Sequence, residues 1–229
     1  MRTETASGEA LPGLGATAVA CLIGSVASVA VLSLLFGIRA PGQFAWYGAR
    51  ASGMLAYLLA AASVLFGMAI TTQSGSKLLG KANVADTHRA LSLLSIVAIG
   101  AHTLFLALDS YAKFGPADLF VPFFTWYRTL WTGLGIIAAY LAIAVYASFY
   151  LRSLIGYKAW RAFHYASFGV FVLGTFHGLF AGSDTGQAWA LALYGGCTAA
   201  VGAMFAYRMS TRKPRQAPRP ATREVVAAG

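Results

Sequence analysis

The apolar residues of this chain fall in blocks of about twenty, a length that crosses a hydrocarbon core of roughly 30 Å as helix. The sequence is 58% hydrophobic and only 10% charged over 229 residues, which is more apolar than a soluble domain of this size needs. We therefore predict an all-α membrane protein with a bundle of six transmembrane helices. The predicted spans are Ala16–Gly37, Trp46–Ile70, Asp86–Leu108, Leu130–Leu151, Ala162–Phe180 and Ala188–Tyr207.

The spans divide the chain into residues 1–15, a helical domain at 16–207 and a tail at 208–229. The first apolar run is about 22 residues, longer than the roughly 7–15 of a signal peptide. Glu4 and Glu9 also stand where a signal peptide is basic, so we interpret this run as a membrane helix. The tail has three prolines and six basic residues. We expect it to be disordered and to contact anionic lipid headgroups or a partner.

The net charge of +10 is distributed unevenly between the two sides of the predicted membrane. Thirteen of the 17 basic residues lie on the side that holds both termini, and four lie on the other side. This is the positive-inside pattern, so we predict cytoplasmic termini in a multi-pass protein of the cell membrane. The same pattern accounts for the charge without a nucleic-acid partner.

Only four histidines occur, and they lie on just two predicted spans, His88 and His102 on the third, His164 and His177 on the fifth. A polar side chain inside a membrane is costly and usually functional. The two spans run in the same direction, and each carries one histidine near its cytoplasmic start and another about 20 Å further along. This predicts two level pairs, His88 with His164 on the inner side and His102 with His177 on the outer side.

Two imidazoles facing each other at each of two depths are typical of two b-type haems with paired axial ligands. Because no axial position stays open, such haems favour electron transfer over oxygen activation. A zinc site would need ligands converging on one point. A proton relay would need carboxylates nearby, and Asp86 and Asp109 lie only at the span ends. Cys21 and Cys197 form no CxxC or CxxCH motif, so neither covalent haem attachment nor thiol redox chemistry is indicated.

Helical periodicity places the two histidines of the third span on nearly the same face, but not those of the fifth span. At about 100° per residue, a spacing of 14 returns to within roughly 40° of the same face, whereas the spacing of 13 on the fifth span misses by roughly 140°. Gly169 and Gly174 lie between His164 and His177, where they could mark a distortion. They could also admit a porphyrin close to the backbone or simply pack helices together.

Haem propionates need cations, and basic residues lie at both predicted levels. Arg50 and Arg128 are candidates for the outer haem, and Arg128 beside Tyr127 also fits an interfacial anchor. The inner candidates also fit the positive-inside pattern; they are Arg89, Lys158 and Arg161. Phe171 lies midway between two histidines, either between haems or in ordinary packing. The five tryptophans fall near predicted interfaces, as in an aromatic belt: Trp46, Trp126, Trp131, Trp160 and Trp189.

The stretch from Trp46 to Asp184 resembles the ferric reductase-like transmembrane domain, shared by ferric reductases, NADPH oxidases and the haem subunit of bacterial methionine sulfoxide reductase. The matching features are the histidine spacings of 14 and 13, Arg50 in GARASGMLAYL, and the runs YRTLWTGLG and WRAFHYASFGVFVLGTFHG. The resemblance implies that the four histidines ligate two b haems and that Arg50 lies near the outer one. It also supports the spacing of 13.

The 22 residues after Tyr207 contain no glycine-rich nucleotide loop and no strand-rich segment. We therefore expect a separate donor, either a flavoprotein with FAD or FMN or a quinol, and an acceptor such as ferric iron, oxygen or an extracytoplasmic redox protein. Two alternatives stay open. One is a cytochrome b subunit of a quinol-oxidising complex, which usually has spacings of 14 on both helices. The other is a haem carrier or a non-catalytic membrane anchor for a redox partner.

Overall fold

The computed structural model of the chain describes residues 43–74 and 81–211, and within them it contains helices and no strand. The first predicted span, the segment before it and the tail beyond residue 211 lie outside the described residues. The helices are α1 (Phe44–Thr72), α2 (Lys81–Leu108), α3 (Pro116–Phe120), α4 (Thr129–Ile155), α5 (Tyr157–His164), α6 (Ala166–Ala181) and α7 (Ala188–Ser210).

Four of these helices are long and apolar enough to cross a membrane, namely α1, α2 from Ala82 onward, α4 and α7. They coincide with the second, third, fourth and sixth predicted spans to within a few residues at each end. At most 33% of the most apolar window of each helix is buried, so large apolar side chains such as Leu55, Ile143 and Phe205 face outward. Helices with this length and outward face are typical of a multi-pass protein in a lipid bilayer.

The fifth predicted span is divided at Tyr165 into α5, of 8 residues, and α6, of 16 residues. The Tyr165 amide donates to the Ala162 carbonyl (3.3 Å), and the Phe168 amide donates to the Tyr165 carbonyl (3.1 Å). Bonds between residues three apart form a tight 3₁₀ turn. The distortion thus lies beside His164, whereas Gly169 and Gly174 belong to the continuous helix α6. The turn gives α5 and α6 separate registers, so the spacing of 13 is not bound to one ideal helix.

The helices pack as two antiparallel pairs, α1 with α2 and α4 with α6, and α7 lies against α1. The core between α1, α6 and α7 is centred on Tyr57, Phe171 and Tyr194. Phe171 is only 6% exposed and stacks on Tyr57 with ring centroids 5.6 Å apart. Packing therefore accounts for Phe171, although its side chain also lines the cavity described below.

Candidate functional site

The structure brings the four histidines together as two pairs with nearly the same geometry. In the first histidine pair, His88 of α2 faces His164 of α5, with ring centroids 6.1 Å apart and planes at 83°. In the second histidine pair, His102 of α2 faces His177 of α6, at 6.2 Å and 80°. The rings are paired as the sequence predicts, and their role as ligands stays a prediction.

Both histidines of α2 are held against α1 in the same way. The Nδ1–H of His102 donates to the Ala49 carbonyl (2.7 Å), and the ring lies over Gly53, where an added Cβ would come within 2.9 Å of Nδ1. The same contacts recur 14 residues later along α1, where the His88 ring donates to the Ser63 carbonyl (2.9 Å) and lies over Gly67. We call this arrangement the carbonyl–glycine motif: a helix carbonyl accepts the imidazole N–H, and a glycine stands four residues later.

The motif has a direct physical cause. A helix carbonyl points along the axis toward the residue four positions later, whose amide it accepts. A ring that reaches this carbonyl from the side must lie over that later residue. Glycine leaves this space, whereas an added Cβ would clash with the ring at Gly53 and crowd it at Gly67.

The second histidine pair uses the motif twice, whereas the first pair uses it once. His177 donates from Nδ1 to the Trp131 carbonyl of α4 (2.9 Å), and an added Cβ at Gly135 would overlap the His177 ring. The corresponding level further along α4 carries Ser148 and Phe149 instead of glycine.

His164 lacks such a support. Within the described part of the chain it has no hydrogen-bonding partner, and its ring stacks on Trp160, with centroids 5.3 Å apart and planes at 30°. Three imidazoles are therefore fixed by backbone and the fourth by an aromatic contact.

These hydrogen bonds determine which ring nitrogen can bind a metal. A backbone carbonyl can only accept, so Nδ1 of His88, His102 and His177 carries the proton. In a neutral imidazole Nε2 then keeps a free lone pair, which is the form that ligates metals. Among the described residues no group of three or more His, Cys, Asp or Glu side chains could hold a metal ion. Each pair therefore offers two nitrogen ligands.

The His88 ring is also part of a closed chain of hydroxyl groups. Its Nδ1 lies 3.1 Å from the Ser63 hydroxyl, which lies 2.7 Å from the Ser92 hydroxyl. Ser92 in turn donates to the His88 carbonyl (2.8 Å). Because the Ser92 hydroxyl donates its only proton to the His88 carbonyl, the Ser63 hydroxyl must donate to Ser92 and accept from the His88 ring. The Nδ1 proton is thus shared between the carbonyl and the hydroxyl of Ser63.

A cavity of about 500 Å³ surrounds the second histidine pair, within the range of about 300–1,000 Å³ that is usual for ligand and cofactor sites. Its lining is mostly apolar and includes both rings. Gly174 lines the cavity as well, and an added Cβ there would meet no atom of the described residues within 4 Å. The fold places the distortion elsewhere, and of the two interpretations of Gly174 that remain, open space agrees with this position better than helix packing.

Arg50 and Asp184 form an ion pair in the wall of this cavity. Arg50 Nε donates to one Asp184 carboxylate oxygen (2.7 Å), and Nη2 donates to the other. Asp184 is only 8% exposed. The sequence predicts Arg50 as a ligand of a haem propionate, whereas its pairing with Asp184 was not predicted. Arg50 lies about one turn inside the outer end of its predicted span, and Asp184 lies four residues beyond the outer end of its own span. This shared level at one membrane face is the signal that could have paired them.

Breaking this ion pair is expected to destabilise the protein measurably. An Asp184→Ala variant leaves the guanidinium without its carboxylate. We expect a loss of about 1–3 kcal/mol, below the roughly 3–5 of fully buried pairs because Arg50 retains solvent contact. Thermal unfolding in detergent measures it. The Arg50→Ala/Asp184→Ala double variant should lose less than the sum of the two single variants, and strict additivity would contradict a coupled pair.

The Arg128 side chain is bound to backbone carbonyls and does not point into the cavity lining as Arg50 does. Its guanidinium donates to the carbonyls of Phe180 (2.6 Å) and Gly182 (3.2 Å), and so satisfies and neutralises the carbonyl end of α6. Beside it, the Tyr127 hydroxyl donates to the Ala181 carbonyl (3.2 Å). These contacts give Arg128 a helix-capping role that was not predicted from the sequence.

The predicted cations of the first histidine pair lie at the surface. Arg161 is exposed, and a hydrogen bond with Tyr165 raises the pKa of its guanidinium. Arg89 pairs with Asp86 at 3.0 Å, with both side chains exposed, and Lys158 is exposed. The structure therefore does not single out one of these three as a ligand for an anion.

We compared the chain with models of known protein families, with characterised proteins and with solved structures, and none of the three comparisons gives a match. The ferric reductase-like family therefore remains a proposal, which the site geometry has to support by itself.

Proposed function

We propose that this chain carries electrons across a membrane through two b-type haems, one held by each histidine pair. In this proposal it is the membrane component of a ferric reductase-like oxidoreductase, a six-helix bundle with cytoplasmic termini. A separate flavoprotein or a quinol supplies the electrons. The acceptor is ferric iron, oxygen or an extracytoplasmic redox protein.

The observation that carries the proposal is the repeated separation of the rings. A bond from a metal to an imidazole nitrogen is roughly 2 Å long, so one ion between two imidazoles holds their ring centres about 6 Å apart. The two pairs measure 6.1 and 6.2 Å. Three of the four rings also leave Nε2 as the free ligand nitrogen. If these histidines served only as hydrogen-bonding groups, nothing would require the same separation between ring centroids in both pairs.

The surroundings of the second pair also fit a porphyrin. The cavity reaches both rings, Gly174 leaves space beside them, and a mostly apolar lining suits the macrocycle. Arg50 lies in the same wall and is the nearest candidate for a propionate, shared with or displaced from Asp184. Arg128 is held by backbone carbonyls instead, so we assign it no part in binding.

The protein groups then have defined tasks. A bound haem would supply a one-electron couple at each level. His102 and His177 would bind the metal of this haem. The carbonyls of Ala49 and Trp131 orient the two rings and make their ligand nitrogens more basic. A haem held by both imidazoles of a pair would leave no site for oxygen at the metal, so it would supply electron transfer only. The 14 residues between His88 and His102 place the two levels about 21 Å apart along α2, which spans most of a bilayer core.

Spectroscopy of the purified protein tests the proposal. We expect about two haems per chain and a sharp low-spin α band on reduction with dithionite. The ring planes in each pair are nearly perpendicular, so the two metal orbitals that share electrons with the rings become nearly equal in energy. The oxidised protein should therefore give strongly anisotropic low-spin EPR signals.

Purified protein without a low-spin haem band would contradict the proposal. Rapid reduction by a quinol without any flavoprotein would favour the quinol-oxidising alternative. Loss of both haems to apomyoglobin within minutes would favour a haem carrier.

A further inference from the structure

A buried indole N–H beside the first histidine pair has no acceptor among the residues that the structure describes. Trp160 Nε1 is the single buried side-chain nitrogen or oxygen within the described residues that lacks a hydrogen-bonding partner. Buried polar groups are almost always paired in native proteins, so an exception calls for an explanation, such as a bound group that supplies the missing acceptor. An ordinary belt tryptophan would direct its N–H to water or headgroups, and this one is covered.

Trp160 lies where a group held by the first histidine pair would reach it. It stands one turn before His164 on α5, and the two rings stack, with centroids 5.3 Å apart. Its ring also meets Phe149 of α4 edge-on, at 6.4 Å. The unpaired N–H therefore belongs to the immediate surroundings of an axial ligand candidate.

Two arginine side chains lie against the Phe149 ring that Trp160 contacts. The Arg152 guanidinium lies over the Phe149 ring at 4.3 Å, and that of Arg89 lies at 5.4 Å from the same ring. Arg89 has Asp86 as its partner. Within the described residues Arg152 pairs with no carboxylate, and it was not among the cations singled out from the sequence. Arg152 and Trp160 thus contact the same Phe149 ring. A guanidinium and an unsatisfied N–H donor on one aromatic ring favour an anionic oxygen ligand.

From these observations we propose that Trp160 and Arg152 bind a propionate carboxylate of the haem held by the first histidine pair. The inference rests on the proposed function. Trp160 donates its indole N–H, Arg152 supplies the opposite charge, and the stack on His164 ties the position of the ligand to that of the propionate. In this view Trp160 takes the positioning role that the carbonyl–glycine motif has for the other three histidines.

Replacing Trp160 by Phe removes the N–H and retains an aromatic ring for the stack. We expect one of the two haems to transfer to apomyoglobin about tenfold faster or more, the usual effect of losing a hydrogen bond to a charged group. The same haem should show a lower midpoint potential, because the propionate charge is less neutralised and favours the ferric state. The Arg152→Gln variant should affect the same haem, and the double variant should fall short of the combined single effects.

Two controls make the experiment decisive. Trp189→Phe changes an exposed tryptophan at the start of α7 and should leave both haems unchanged. Loading the protein with haem dimethyl ester removes the carboxylate charge but keeps a carbonyl acceptor, so it should abolish the difference between wild type and Arg152→Gln. If wild type holds two haems and neither Trp160→Phe nor Arg152→Gln changes one of them, this inference is wrong while the proposed function stands. If wild type holds none, the proposed function itself fails.

Discussion

Replacing His102 by Ala is expected to lower the haem content from about two per chain to about one, with the remaining haem spectrally low-spin. His102 supplies one of the two nitrogens of the second histidine pair. No other His, Cys, Asp or Glu cluster in the described part of the chain could replace it. The first pair lies about 21 Å away along α2 and should be unaffected. Haem quantification and reduced-minus-oxidised spectra measure the change.

The matched variant is His88→Ala, which should remove the other haem and leave the second pair intact. A His102→Gly variant separates ligand loss from misfolding, since exogenous imidazole should enter the cavity and restore the band. Loss of both haems from either alanine variant would refute the assignment of one haem to each pair.

A bulky side chain at Gly174 should block haem binding at the second histidine pair without disturbing the protein itself. Within the part of the chain that the structure describes, an added Cβ at this position meets no atom within 4 Å, and the residue lines the cavity. Leucine is also a better helix former than glycine by roughly 0.5–1 kcal/mol. We therefore expect Gly174→Leu to fold at least as well as wild type in the haem-free state and to lose one haem.

Gly195→Leu is the control for this experiment. Gly195 of α7 also has open space at its Cβ position, and it is not part of the cavity lining. Haem content should not change in this variant. If Gly174→Leu retains two haems with unaltered potentials, the open space beside Gly174 is not where the macrocycle lies.

The sequence predicted the described spans and the histidine pairing because both follow from one-dimensional properties. Hydrophobic length determines where α1, α2, α4 and α7 run, and position along a span determines depth. His102 and His177 are therefore matched by counting residues. The fifth span shows the limit of this reasoning, because the turn at Tyr165 carries neither proline nor glycine and has no local signature.

The surroundings of the histidines were harder to predict, since they depend on which helix lies next to which. Nothing local to Asp184 pairs it with Arg50, and nothing local to Arg128 directs it to the end of α6. The glycines under the histidine rings were easier to predict. Gly53 and Gly67 are 14 residues apart, as are His88 and His102, and that matched spacing on adjacent antiparallel helices indicates contact between them.

The uneven use of the carbonyl–glycine motif has a consequence for assembly of the loaded protein. Both imidazoles of the second pair are oriented by backbone that is complete once α1, α2, α4 and α6 have packed, so the ordering cost of binding is largely met during folding. His164 is the last residue of α5, next to the turn at Tyr165, and depends on a side-chain stack. We therefore expect haem insertion to be sequential, with the second pair filled first and the junction of α5 and α6 becoming rigid last.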